Sequence, residues 1–190
     1  MANLTFQGQR IFFPGGGVLD FPTVIPTGVV IGTQIWQEKN VDDSIAGSRV
    51  YNDNESNRVI YGGLYNWSMI GDIEAANPGW HVPSQTEWQT LATYLGGYLV
   101  AGGKMKEVGL THWNTPNSGA TNSSEFTGLP GGYYGTSYNT LGNNGYFWSS
   151  TGAANPSNAW GRMLYFNDTQ LYEYEALPKT YFLAVRLIKD

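Results

Sequence analysis

The stretch that most constrains the fold is residues 181–190, YFLAVRLIKD. Read as extended chain, it puts Phe182, Ala184, Arg186 and Ile188 on one side and Leu183, Val185 and Leu187 on the other, because successive strand side chains point to opposite faces. Apart from the arginine, both sides are apolar. A segment of this kind is predicted to be a central strand, covered from above and below.

The clearest local signal is HVPSQTEWQTLATYLGG, residues 81–97. Ser84 followed by Glu87 forms a capping box, in which the serine oxygen takes a backbone N–H and the glutamate reaches back to the serine N–H. Trp88, Leu91 and Leu95 then share one apolar face, and Gly96–Gly97 end the helix. VVIGTQIWQ (29–37) is predicted as a strand from its β-branched content, and LYNWSMIGDIEAA (64–76) as a short helix carrying Leu64, Trp67, Met69 and Ile70. Residues 1–28 read as a separate piece. LTFQGQRIFF alternates like a strand, PGGG turns, and Pro22 and Pro26 confine VLDFPTVIPTG to a sheet edge or an extended arm. Such an arm packs either on a neighbouring subunit or around its own domain. From 108 onward Asn, Ser, Gly and Pro exclude a long helix, while the aromatics point to a folded loop region. The expectation is one α+β domain over 29–190, loop-rich, with short helices packed on small antiparallel sheets.

At 190 residues the chain is long enough for one domain with a real core. A net charge of -5 offers no basic stripe to neutralise a phosphate backbone, so nucleic acid is not an expected partner. Lys and Arg are scattered, and no apolar run approaches the roughly 20 residues that span a bilayer, so membrane insertion is not expected either. The absence of cysteine removes disulfides, thiolate metal sites and cysteine nucleophiles. The opening MANLTFQGQRIFFPGGG lacks the pattern of a signal peptide. The expected location is therefore a virion or cell surface reached by a non-classical route, or otherwise the cytoplasm.

Catalytic and metal-binding patterns are sparse. Of the two histidines, His81 precedes the helix cap and His112 sits in THWN; both read as hydrogen-bonded structural residues. There is no HExxH, EF-hand, P-loop or GxSxG pattern, and no cofactor, dedicated metal site or enzymatic activity is expected. Asn167, Asp168, Glu173 and Glu175 are oxygen-bearing side chains without a diagnostic calcium spacing. What stands out is an aromatic content of 15% among asparagine-rich loops. Tyr, Trp and Asn build recognition surfaces that combine large contact area with hydrogen bonding. Trp36, Trp67, Trp80, Trp88 and Trp148, in regular or tightly turned segments, are assigned to the core instead.

The succession IGTQIW (31–36), YGGLYNW (61–67), PGWHVPSQTEW (78–88), AGGKMKE (101–107), HWNTPNSGATNSSEFTGLPGGYY (112–134), GYFWSST (145–151), AWGR (159–162) and VRLIKD (185–190) resembles the Fibrobacter succinogenes major paralogous domain family. The resemblance implies a C-type-lectin-like fold of the branch shared with formylglycine-generating enzymes, in which both chain ends enter one sheet and long loops carry the binding surface. The catalysis of those relatives depends on cysteine, which this chain lacks. A second resemblance is to the variable proteins of diversity-generating retroelements, whose C-terminal segment is rewritten at adenines and, in phage tails, binds host surface molecules. On that resemblance Asn155, Ser157, Asn158, Gly161, Met163, Tyr165, Asn167, Gln170, Tyr172, Glu173, Tyr174 and Glu175 form the expected ligand-binding set, with Trp160, Arg162, Leu164 and Phe166 as scaffold. The expected function is a non-enzymatic module that binds a surface protein or carbohydrate. The alternative is a structural or adhesive surface protein that assembles as a homo-oligomer through residues 1–28.

Overall fold

The computed structural model describes residues 10–12, 18–20 and 28–190. Near the start, β1 (Arg10–Phe12) and β2 (Val18–Asp20) pair antiparallel with Arg10 opposite Asp20. The rest of the expected arm lies outside the described residues.

The expected strand over 29–37 is instead a hairpin of β3 (Gly28–Ile31) and β4 (Gln34–Gln37). Gly32 makes the turn at φ +65°, and a Cβ there would come within 2.8 Å of the Tyr94 ring, so glycine is required on two counts. The chain continues through α1 (Ser56–Tyr61), β5 (Tyr65–Asn66), a 3-10 turn at Trp67–Met69, α2 (Ile70–Ala76) and β6 (Trp80–His81). Two helices come next, α3 (Gln85–Tyr94) and α4 (Tyr98–Met105). The remainder is β7 (Tyr133–Tyr134), β8 (Tyr138–Asn139), β9 (Asn144–Gly152), β10 (Asn158–Tyr165), β11 (Leu171–Pro178), β12 (Phe182–Leu183) and β13 (Ile188–Lys189). They form three antiparallel sheets ordered β3-β4-β13-β6, β5-β12-β7-β8 and β11-β10-β9. This is an α+β fold of small sheets and short helices. As expected, strands from both ends of the domain meet, with Ile188 opposite both Trp36 and His81.

Residues 181–190 are not one continuous strand. β12 is interior to one sheet and β13 to another, and residues 184–187 cross between them. The alternation nevertheless governs the packing. Leu183, Val185 and Leu187 enter a core with Val41, Tyr65, Ile73, Trp80 and Trp148. Ala184 and Ile188 enter a second core with Trp36, Trp88, Leu91, Phe126 and Phe147. Arg186 is 1% exposed. Its Nε and Nη2 donate to Asn40 Oδ1 at 3.0 and 2.9 Å, its Nη1 donates to the carbonyls of Gln37 (3.0 Å) and Phe126 (2.6 Å), and the guanidinium lies 4.3 Å from the Phe126 ring centre. Burial lowers its pKa, but oxygen acceptors on three residues hold the charge in place.

In α3 the capping box forms as expected, and Trp88 and Leu91 are fully buried. Glu87 has a further role: its Oε1 meets His81 Nε2 at 2.8 Å, while His81 Nδ1 meets Asp190 at 2.7 Å. His112 sits against the Glu107 carboxylate at 2.9 Å. Both histidines are thus hydrogen-bonded, as their sequence settings suggested. The helix α4 was not expected, and it contains Gly102 and Gly103, residues of low helix propensity. They are required by tertiary contact: a Cβ on Gly102 would collide with the Gln170 carbonyl, and one on Gly103 would lie 2.6 Å from the Gly119 carbonyl oxygen. Among the described residues no helix is long and apolar enough to cross a membrane.

Replacing Arg186 with alanine leaves Asn40 and two buried carbonyls without their donor. The expected loss is about 3 kcal/mol or more, measured as a lower urea midpoint at unchanged m-value. Burial by itself would lower the His81 pKa, but the hydrogen bonds to Asp190 and Glu87 outweigh it and raise the value above 6.5. Stability from this group is therefore complete below about pH 6.5 and disappears as pH rises through the folded value. His81→Gln should flatten that part of the stability–pH curve, as read by thermal melts across the range.

Candidate functional site

The expected binding residues fall on the β11-β10-β9 sheet and its two connecting turns. Register decides which of them meet. In β10, Gly161 is opposite Trp148 and Tyr174, Met163 is opposite Tyr146 and Tyr172, and Tyr165 is opposite Asn144. By alternation these residues share one face. Phe147, Arg162, Leu164, Leu171 and Glu173 take the other, with Phe147, Leu164 and Leu171 in the core that α3 and α4 cover. One side of the sheet is therefore fastened to the helices and the other carries the tyrosines.

On that tyrosine face, ring centres are 6.1 Å apart for Tyr165–Tyr172 and 6.5 Å for Tyr172–Tyr174, and Tyr174 is 39% exposed. Tyr165 and Tyr172 are half-buried. The face extends further than the expected set. Tyr146, half-buried, abuts Tyr133 at 5.0 Å, and Tyr133 stacks on Tyr181 at 5.7 Å. The parity of Asn144, Tyr146 and Trp148 against Phe147 carries the signal for Tyr146, but GYFWSST reads as scaffold when taken as a block. Tyr133 and Tyr181 come from other segments, and only the fold brings them here.

Gly161 and Met163 share the face but do not reach its surface. Met163 is 2% exposed, flanked by Tyr146 and Tyr172 with Asn144 Nδ2 at 3.2 Å from its sulfur. It forms a soft floor under the rings. Gly161 is buried, and a Cβ there would collide with Leu177. Neither position offers a side chain to a ligand. Asn144 is 2% exposed, and its Oδ1 has no hydrogen-bond partner among the described residues.

The other expected residues are dispersed. Asn155 and Ser157 lie in the turn between β9 and β10, where Asn155 Oδ1 accepts from Ser157 N at 3.0 Å, and Asn158 opens β10 opposite Pro178. Asn167 and Gln170 occupy the turn between β10 and β11 at the opposite end of the sheet. A strand the length of β10 separates the two turns by roughly 25 Å. Glu173 lies on the helix side: its Oε1 is 3.1 Å from Arg162 Nη2 and accepts from Gln85 Nε2 at 2.6 Å. Arg162 is fully buried and also donates to Gln85 Oε1 at 2.5 Å. Glu173 therefore balances a buried guanidinium. Glu175 is exposed and sits where the register between β10 and β11 shifts.

On this face a carboxylate hydrogen bond favours the neutral form of Tyr172, and burial that of Tyr146 and Tyr174. Tyr172 OH donates to Asp168 at 2.7 Å, which raises the phenol and, together with the Gln170 N–H, lowers the carboxyl. Burial pushes Tyr146 up to about 12. Neutral phenols stack and donate hydrogen bonds. Among the described residues no group of three His, Cys, Asp or Glu could hold a metal ion. Two shallow grooves of about 410 and 420 Å³ lie between the β3–β4 hairpin and α3, both lined by Thr33 and Thr90, and share no residue with the tyrosine face.

A sequence profile of the Fibrobacter succinogenes major domain matches residues 29–189. The chain belongs to that family. Comparison with the curated proteins and with the solved structures finds no match. The family assignment thus agrees with the order of motifs read from the sequence, and the matched region begins at the β3–β4 hairpin and runs through β13.

The two acidic residues of β11 should behave differently. Glu173→Gln removes the charge facing a fully buried arginine and is expected to cost about 2 kcal/mol, whereas Glu175→Gln should stay within about 0.5 kcal/mol of the parent. Chemical denaturation of the two variants side by side checks the difference.

Proposed function

We propose that this chain is a non-enzymatic binding module whose partner, a surface protein or carbohydrate, docks on the tyrosine face of the three-stranded sheet. The observation that carries the reading is the unbroken row of Tyr165, Tyr172 and Tyr174 on a sheet whose reverse side is fastened to the helices. Rings held in one row on a stiff support offer contact area at little entropic cost. The lectin-like arrangement implied by the family resemblance supports it as well, since strands from both ends of the domain share a sheet. Asn167 and Gln170 flank the row at one end and supply polar selectivity; Asn155, Ser157 and Asn158 stand at the other.

If the face is rewritten between variants, the exposed positions 155, 157, 167, 174 and 175 are the ones free to change, and Gly161 and Met163 are not, because both are buried. Sequencing the encoding locus across a natural population tests this. Adenine-directed substitutions confined to the exposed positions support it; an even spread of changes removes the diversified reading.

The triple variant Tyr165→Ala, Tyr172→Ala, Tyr174→Ala tests the face itself. Binding of the full chain to a glycan array and to a displayed peptide library is compared with the parent. The expected result is loss of binding with a melting temperature within about 4 °C. A collapsed melting curve would assign the rings to the core, and retained binding would place the partner elsewhere.

The alternative, assembly through the N-terminal piece, has one observation behind it. Among the described residues β3 is the edge of its sheet, and Val30 on it is 68% exposed, as suits a strand that pairs with another chain. Deleting residues 1–27 and measuring mass by light scattering separates the readings: a loss of mass per particle with binding retained supports assembly as a second role.

A further inference from the structure

Lys106 is a lysine with no exposed surface and with every donor engaged. Its Nζ donates to the backbone carbonyls of Ser118 (2.9 Å), Tyr165 (2.8 Å) and Asp168 (2.7 Å), and it lies 5.4 Å from the Trp113 ring centre. An ammonium has three N–H groups, so none is left over. The Asp168 carbonyl belongs to the turn between β10 and β11, the Tyr165 carbonyl ends β10 just before it, and the third belongs to the loop that contains Ser118.

The same turn is held by α4. Gly103 N donates to the Thr169 carbonyl at 2.9 Å, Thr169 Oγ1 donates to the Leu99 carbonyl at 2.8 Å, and Ser118 N donates to the Phe166 carbonyl at 2.8 Å. Gly102 and Gly103 allow this approach, since side chains there would strike Gln170 and Gly119. The turn in turn positions the face: Tyr165 precedes it, and the Asp168 carboxylate holds Tyr172 OH.

We propose that Lys106 is the positioning residue of the tyrosine face, its ammonium fixing the turn between β10 and β11 and thereby the rings of Tyr165 and Tyr172. Lys106 thus regulates the surface assigned above, and the inference rests on that assignment for its functional meaning only. Removing one proton leaves an amine with two N–H groups for three carbonyls, so one strut of the turn is lost.

Burial pulls the Lys106 pKa down to about 8. The ammonium therefore prevails near neutrality and gives way above about pH 8. The unfolded chain keeps this proton to about 10.4, so between those values the unfolded state binds more protons and this group adds to global stability as pH rises. In the local opening the turn carbonyls leave while Nζ stays buried, so the ammonium is held less well there than in the closed turn, and deprotonation favours this opening even as the group adds to global stability. The groups facing Lys106 are the Asp168 carboxylate from the turn and the Trp113 ring from the preceding loop. Glu107, next in the chain, is tied to His112. Tyr172, bonded to Asp168, is raised above the ordinary phenol range and keeps its proton through the window.

Hydrogen exchange by mass spectrometry on the full chain, from about pH 7 to 9.5 with intrinsic exchange corrected, tests the proposal without a ligand. Amides 166–170 are expected to lose about tenfold in protection with a midpoint near 8, while the centres of β9 and β10 stay unchanged. Protection that is flat through this window, or that falls together with the whole sheet, would overturn it. Lys106→Met should show low protection at 166–170 at every pH, and parent-like protection in it would also overturn the proposal. If that variant does not fold, the parent's profile decides alone. The single variant Tyr174→Ala leaves Lys106 and the Tyr172–Asp168 bond in place, so it should keep the parent's exchange profile whether or not it binds, which separates failure of this inference from failure of the binding face.

Discussion

The fold depends on residues 183–188 lying between two apolar cores. Each residue of this segment apart from Arg186 belongs to one core or the other, and the segment also supplies the interior strands of two sheets. Arg186 sits at its centre, where an unpaired guanidinium would be prohibitive. Asn40 and two carbonyls engage it, tying the crossing to the loop after β4 and to Phe126. Hydrogen bonds from Gln37 N to the Leu187 carbonyl and from Val41 N to the Val185 carbonyl run along the same junction. Chain from the beginning, middle and end of the domain thus meets around one charged side chain.

The tyrosine face is built outward from that centre in two steps. Phe147, Leu164 and Leu171 bury the reverse of the three-stranded sheet, and Arg162 with Glu173 and Gln85 couples it to the start of α3. At the far end α4 and Lys106 take hold of the turn between β10 and β11. The outward side is left with rings whose backbones are constrained and whose own contacts are few.

Part of the site was legible before any coordinates. Strand alternation sets Tyr172 and Tyr174 on one face of β11 and separates Tyr165 from Arg162 and Leu164 within β10, while the register of the two strands brings the three tyrosines together. Alternation does not reveal depth. Met163 has the parity of a face residue, but Tyr146 and Tyr172 close over it, and Gly161 is covered by Leu177. Nor does it reveal partners. Glu173 looks like a free polar contact until the buried Arg162 is seen behind it.

Local rules therefore determined what is local: the capping box of α3, its apolar stripe of Trp88 and Leu91, the two-sided pattern of 182–188, and the order of motifs that marks the family. The first three depend on residues within a few positions of one another, where propensity and periodicity act directly, and the order of motifs is read along the chain itself. The tertiary structure alone decided the rest. A helix runs through Gly102 and Gly103 because the chain near Gln170 and Gly119 approaches too closely for any side chain. A single extended pattern at the end of the domain divides into β12 and β13 because two different sheets need an interior strand. Lys106 is buried among three carbonyls contributed by residues 12, 59 and 62 positions away. These outcomes are set by contacts between distant segments, and no window of the sequence contains both partners.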